Sequence, residues 1–484
     1  MIIINPEFHR QLWLNFSSFR LVVTPLVISL IMFVFATLDP EHWQQNIFIP
    51  ALYAYLFVVF IWGNYAISNA AGNDVGINTW DFQKMSSIGP WELTIGKLFG
   101  STSFTWYTSA FLLTLLAYCY SYTEDNLLER SIFTTFSTPT KPIIYLILAG
   151  AIGHAISFLA TSTNTKRKKN SISAGFILGC AASYGVLRLI INTNNGVDAT
   201  INWHFWEINQ NTFITLSLLY FVFWTIIAIQ RNMRDELQFK NTPFVLLMFI
   251  IGICLYITGY ADLIMQQSKN MKIAIYSNNS APYNEDMFIV KLTISFLILA
   301  FSTYILAFKD ANNLSKYKRW IYAFKYKEWK RFLKNTPAWV GCAALLLLVY
   351  FTLMSKLSLT EKEIIQNFAF TTAILLFIAR DGLIYHSILI GKIERHKAFT
   401  VGLYILMIYT LIPLTLLALA KTFEADWTVA RIIASSFYPI PTDSLLLTIT
   451  PIIYQTIIAI AILYFVVKSL KDKKTPLPAI YKNR

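Results

Sequence analysis

The sequence predicts an all-α, polytopic membrane protein, and three observations carry that prediction. The composition is 56% hydrophobic and 16% aromatic with only 14% charged residues, too little charge for a soluble chain of 484 residues. Apolar runs of about twenty residues, the length that crosses a bilayer, recur along the chain. Lysine and arginine concentrate on alternate connecting segments, the pattern of the positive-inside rule.

The first element precedes the first apolar run. Asn5 caps and Pro6 opens a helix, on which Phe8, Leu12, Phe16 and Phe19 form one apolar stripe with His9, Arg10 and Gln11 to the sides. It reads as an interfacial helix lying flat on the membrane, with no cleavable signal peptide. Twelve spans follow, at about 21–38, 47–66, 104–121, 142–162, 171–191, 212–230, 243–264, 288–308, 337–355, 364–379, 398–420 and 446–467. The tenth is short and ends at Arg380-Asp381. Pro50, Pro142, Pro243, Pro337 and Pro413 open or interrupt spans, as is common in membrane helices. The spans group into two six-span units, 1–230 and 231–484. Whether the second is a degenerate repeat of the first is left open.

With the N-terminus inside, the inner segments hold 30 of the 40 Lys and Arg and the outer loops 8, Arg188 and Lys291 lying in or at the edge of spans. This split sets both termini in the cytosol. It also accounts for the net charge of +14 without a nucleic-acid partner. The densest cationic segment is Lys309–Asn335, where nine cations alternate with Tyr317, Trp320, Tyr322, Phe324, Tyr326, Trp329 and Phe332. Such interleaving suits single-stranded nucleic acid. Beside two spans it is read instead as an amphipathic surface helix on anionic headgroups. The run KRKK at 166–169 is a topology signal. Cys119, Cys180, Cys254 and Cys342 lie in apolar runs without paired spacing and read as small core residues.

Motifs for chemistry are scarce. The chain holds no G-x-x-x-x-G-K-[ST] phosphate loop, no H-E-x-x-H and no G-x-S-x-G. Ionisable residues in or near spans are His154, Arg188, Asp262 and Lys291, and the first three are candidates for a substrate path, because such groups are costly in lipid. Arg188 and Asp262 lie near span ends, so snorkelling to the interface is an equal reading. His154 sits mid-span beside Gly150 and Gly153, where a His more often hydrogen-bonds a neighbouring helix. This scarcity of deep acids argues against secondary transport. In the outer loop Asn192–Asn211, Trp203, His204, Phe205, Trp206 and Glu207 read as a rim for a lipid or sugar, or as the aromatic belt of span six.

Between the second and third spans lies Thr79–Tyr107, TWDFQKMSSIGPWELTIGKLFGSTSFTWY, charged yet too apolar for a solvated loop. Ser86-Ser87 and Gly89-Pro90 break it, Pro90 suits a first helical position, and Glu92 falls where the helix dipole favours an acid. Gly96 and Gly100 allow close approach. Pro90, Trp91, Glu92, Leu93, Gly96, Lys97 and Leu98 resemble the coupling segment of ABC-2 type transporter permeases. The stretch NPEFHRQLWLNFSSFRLVVTP similarly resembles the elbow helix that opens such permeases, and the resemblance covers about residues 5–120.

The resemblance implies the non-catalytic, cofactor-free permease subunit of an exporter in a bacterial inner membrane. A separate ATP-binding cassette ATPase would dock on cytosolic coupling helices. The main contact would be Thr79–Lys97, through Trp80, Asp81, Met85, Pro90, Trp91, Glu92, Leu93, Gly96 and Lys97. Trp91 and Leu93 would be the apolar anchors, with Glu92 and Lys97 at the rim. Arg380–Lys397 would be a second contact, with Asp381, Gly391 and Lys392. It echoes the first in its Asp, apolar face and Gly-Lys, although Asp81 to Gly96 is 15 residues and Asp381 to Gly391 only 10. Tyr326–Pro337 echoes the elbow in the same loose way. Membrane lipids and a second copy of the permease are further partners, and the implied substrates are lipids, glycans or hydrophobic small molecules. The alternatives are an ATP-independent secondary transporter and a membrane-embedded glycosyl- or acyltransferase.

Overall fold

A computed structural model of the chain describes residues 5–76, 83, 85–86, 88–120, 140–163, 168–193, 200–239, 241–261, 283–310, 314–356, 361–390, 397–422, 437 and 445–471. These residues form an all-α multi-pass membrane protein with one short β-hairpin. Among them nine helices are long and apolar enough to cross a bilayer, and Phe244–Thr258 and Ile452–Tyr464 are shorter apolar helices. Ser103–Tyr120, rich in Thr and Tyr, is a helix in the position of the expected third span but is not one of the nine.

The chain divides into two compact units, Met1–Asn241 and Thr242–Arg484. In the first, α1 (Pro6–Asn15) begins where its residues dictate. Asn5 Oδ1 accepts from the backbone N–H of Glu7 and Phe8, and Pro6 fills the first turn, where a missing N–H costs nothing. There follow α2 (Ser18–Leu38), α3 (Trp43–Leu56), a π-helical segment (Phe57–Gly63) and α4 (Asn64–Gly76). Next come α5 (Pro90–Ser101), α6 (Ser103–Tyr120), α7 (Thr140–Thr163), α8 (Lys168–Thr193) and α9 (Gln210–Glu236). The core of this unit is built on Phe48, Tyr55, Leu112, Leu116, Tyr145 and Ala149, all essentially inaccessible. Tyr145 Oη donates to the Asn211 carbonyl at 2.9 Å and Asn232 Nδ2 to Ser162 Oγ at 2.7 Å, so α7 and α9 are tied near both ends. By contrast α2 leaves Phe19, Val22, Leu26, Leu30 and Phe33 exposed, as a helix facing lipid does.

The aromatic loop before α9 holds a hairpin that the sequence reading missed. β1 (Thr200–Trp203) and β2 (Trp206–Asn209) pair antiparallel with Trp203 opposite Trp206. His204 takes the left-handed conformation, φ 56°, at the tight turn, where Gly or Asn is the usual signal. Trp203 lies against Phe213 of α9 at 5.8 Å, while Phe205 is 92% exposed.

The second unit comprises α10 (Phe244–Thr258), α11 (Tyr283–Asp310), α12 (Leu314–Lys325), α13 (Trp329–Asn335), α14 (Ala338–Lys356) and α15 (Glu361–Ile390). It ends with α16 (Lys397–Leu406), a second π-helical segment (Met407–Leu411), α17 (Ile412–Thr422) and α18 (Leu445–Lys471). Phe296, Leu299, Cys342, Leu346 and Tyr350 form its core. The cationic segment read from the sequence forms α12 and α13, joined through a left-handed Lys327 and by Trp320 stacked on Phe332 at 5.4 Å. All four cysteines are free thiols.

The tenth span differs from expectation in where it ends. The tenth was read as ending at Arg380-Asp381, but α15 runs unbroken to Ile390, and its membrane-length portion, Phe368–Tyr385, includes both residues. A charged pair lowers hydropathy and so mimics a span end. Partners from other helices, described below, are what make its burial tolerable. Moving Arg380 out of the inner loops leaves 29 inner cations against 8, so the orientation argument is unchanged.

Candidate functional sites

The first candidate site is the pairing of α1 with α5. Pro90 opens α5, and Glu92 Oε2 accepts the Gly89 N–H at 2.9 Å, so the acid caps its own helix. The two helices cross closely because α5 offers glycines where α1 presents side chains. A Cβ on Gly96 would lie 2.8 Å from both Glu7 Cβ and the Phe8 nitrogen, and one on Gly100 would lie 2.6 Å from Gln11 Cβ. Asn5 Nδ2 donates to the Glu92 carbonyl at 2.7 Å and Asn15 Nδ2 to that of Gly100 at 3.2 Å, a polar clasp at each end.

The buried face of α1 is therefore polar, formed by Glu7 and Gln11. Glu7 is 1% exposed and accepts from Arg10 Nε and Nη2, both at 2.8 Å, and from Gln11 Nε2 at 3.0 Å. Of the stripe, Phe16 turns inward onto Phe104 and Tyr107, while Phe19 joins Trp13 and Leu14 on the exposed side.

This geometry revises the roles expected along α5. Leu93 is wholly buried and Lys97 is 2% exposed, so both are taken up inside the unit and neither is presented to a partner. Gly96 likewise faces α1. What α5 leaves open is Trp91, Ile95 and Phe99, spaced at i, i+4 and i+8 on one face, with Met85 exposed just before it. Trp80, Asp81, Gly391, Lys392 and Asp262 lie outside the described residues.

Behind α5, His154 is buried in α7. Its Nε2 lies 2.9 Å from the Val59 carbonyl, and its ring meets Trp106 edge-on at 5.3 Å. A carbonyl only accepts, so Nε2 carries the proton. Val59 belongs to the π-helical segment, whose Phe60 carbonyl also receives Asn64 Nδ2 at 2.6 Å and Cys180 Sγ at 3.1 Å. The irregular turn thus supplies carbonyls to side chains of three helices, α4, α7 and α8. Of the two readings of His154, the helix–helix hydrogen bond is realised. Arg188 sits on an exposed face near the end of its span, the position of a snorkelling cation, and is not drawn into this interior.

The second site was not anticipated. Arg380 and Asp381 are 1% and 0% exposed, so Asp381 is an interior residue of the second unit and not a surface for an ATPase. Asp381 Oδ1 accepts from Arg380 Nε and from Tyr404 Oη, each at 2.8 Å. Its Oδ2 accepts from Tyr304 Oη at 3.1 Å and from Tyr409 Oη. Arg380 further donates from Nη1 to Gln455 Oε1 at 2.5 Å and from Nη2 to Tyr409 Oη at 2.9 Å, with its guanidinium 4.6 Å over the Phe377 ring. The partners come from α11, α16, the second π-helical segment and α18. The ionisable groups read from the sequence as lying in spans thus gain one more: a buried carboxylate, toward the C-terminal end of Phe368–Tyr385, that accepts four hydrogen bonds.

Family models, curated proteins and solved structures were compared with the chain, and none of them matches it.

Proposed function

We propose that the chain is the membrane-spanning permease subunit of an ATP-driven exporter of ABC-2 type, working with a separate ATPase in a bacterial inner membrane. The observation that carries this reading is the α1–α5 pair. A short helix opened by Pro90 and capped by Glu92 is clasped onto an N-terminal helix and leaves Trp91, Ile95 and Phe99 uncovered. A rigid backing and an aromatic-led free face are what a helix needs to pass force to a partner domain. The six-plus-six grouping and twelve spans belong to the same proposal.

The test is purification. The chain alone should hydrolyse no ATP above background, since its sequence has no phosphate loop. Isolated gently from its native membrane, it should bring down an ATPase that carries one. Hydrolysis by the chain alone, or isolation with no such ATPase under conditions that preserve other transporter complexes, would overturn the proposal.

One observation favours a second reading, an ion-coupled carrier without an ATPase. The Arg380–Asp381 pair lies within a span and is contacted from several helices, a placement common to carriers that exchange charge during transport. Uptake or efflux by the purified chain in sealed vesicles, driven by an ion gradient in the absence of ATP, would support it.

A further inference from the structure

We propose that Arg380 is the receiving group of an anion site in the second unit, for a ligand that presents paired oxygens such as a phosphate or carboxylate. The argument begins with how unevenly the pair is used. Asp381 accepts four hydrogen bonds, and three of them come from the phenols of Tyr304, Tyr404 and Tyr409. The carboxylate therefore has donors of its own, whatever the terminal nitrogens of the guanidinium bind.

Arg380, in contrast, engages Asp381 through Nε alone. Its Nη1 and Nη2 each make one bond, to the neutral oxygens of Gln455 and Tyr409. A guanidinium has five N–H groups, so one on each terminal nitrogen is left over among the described residues. One N–H from each of two terminal nitrogens is the fork that binds paired anionic oxygens, and charged acceptors there are stronger than the neutral ones now present. Phe377 stacks on the guanidinium face and fixes its plane.

The path to this edge is closed, since Arg380 is 1% exposed. Among the groups covering it is Tyr409, on the π-helical segment Met407–Leu411, with its hydroxyl on Nη2 and its ring 5.5 Å from the guanidinium carbon. A π-turn holds one residue more than an α-turn, and its slippage into α-helix withdraws Tyr409 without unfolding the span. An anion then replaces the Tyr409 and Gln455 oxygens, while Tyr304 and Tyr404 hold Asp381 in place.

This assignment deepens the transport reading, but its test does not depend on an ATPase. The full chain is placed in phosphatidylcholine nanodiscs, and its thermal unfolding is followed by tryptophan emission. Inorganic phosphate is titrated at constant ionic strength, and phosphatidic acid is substituted for part of the lipid in a separate series. The wild type should be stabilised by one of these sources; which one tells whether the anion is a free solute or a headgroup. Asp381→Asn removes the resident like charge and should respond at about tenfold lower phosphate or phosphatidic acid. Arg380→Lys, which keeps the charge but loses the fork, should need about tenfold more. The charge-neutral double variant Arg380→Gln/Asp381→Asn should fold and show no response. Stabilisation of the double variant or of Arg380→Lys equal to that of the wild type would overturn the site, and so would a wild type indifferent to both sources. Loss of ATPase association elsewhere in the chain leaves this readout unchanged, so the two proposals fail separately.

Discussion

At the scale of single residues, helix caps and one buried ion pair carry the local structure. Asn5 and Pro6 cap and open α1, and Pro90 and Glu92 do the same for α5; both are legible in the sequence because a cap is made by residues within one turn of each other. Arg380 and Asp381 were misread for the opposite reason. Their partners Gln455 and Tyr304 lie 75 and 77 residues away, and without them an Arg-Asp dipeptide resembles a span end. The same geometry fixes the outcome of substitution. Arg380→Gln strands a buried carboxylate and should lower stability by about 3–5 kcal/mol, whereas the paired Arg380→Gln/Asp381→Asn change should cost much less. Chemical denaturation of the two variants in the same detergent checks this; equal losses would mean that the ion pair is not coupled. Gly96→Val should destabilise the α1–α5 contact by about 1–3 kcal/mol, since its side chain meets Glu7 and the Phe8 backbone, and backbone cannot step aside.

At the scale of elements, helix existence was readable and helix faces were not. The periodicity of α1 marked Phe8, Leu12, Phe16 and Phe19 as the stripe of a helix lying flat on the membrane, but gave no sign that the side packed against α5 is Glu7 and Gln11. Apolar periodicity locates a core only when water is the alternative. In a membrane the apolar side can face lipid, and close packing falls to small and polar residues, here Gly96 and Gly100 against Glu7 and Gln11. The π-helical segments left no sequence signature at all, although both border buried polar groups, His154 in one unit and Asp381 in the other. The hairpin at Thr200–Asn209 was hidden because His204 and Phe205 occupy a turn without Gly or Asn. Trp203→Ala, which removes the ring joining the hairpin to Phe213, should raise amide exchange across residues 200–209 and leave α9 protected. Unchanged exchange in the hairpin would show that it is held by other means.

At the scale of the whole chain, the cation distribution remains the firmest sequence-level argument, and it survives the relocation of Arg380. Reporter fusions after Lys168, Lys240 and Lys330 should read cytosolic, and fusions after Asp198 and Ser277 external. Reversal at two or more sites would require a different number of spans. The account's central claim is that the free face of α5 couples this chain to an ATPase, and it is tested most directly by comparing recovery of that ATPase at matched membrane abundance. The variant is Trp91→Ala/Ile95→Ala/Phe99→Ala, three residues that are 48%, 42% and 44% exposed on one face of α5. The account predicts normal insertion, normal abundance and at least about a tenfold loss of ATPase recovery, as expected when a few aromatic anchors carry most of an interface. Undiminished recovery would contradict it and assign this face to lipid.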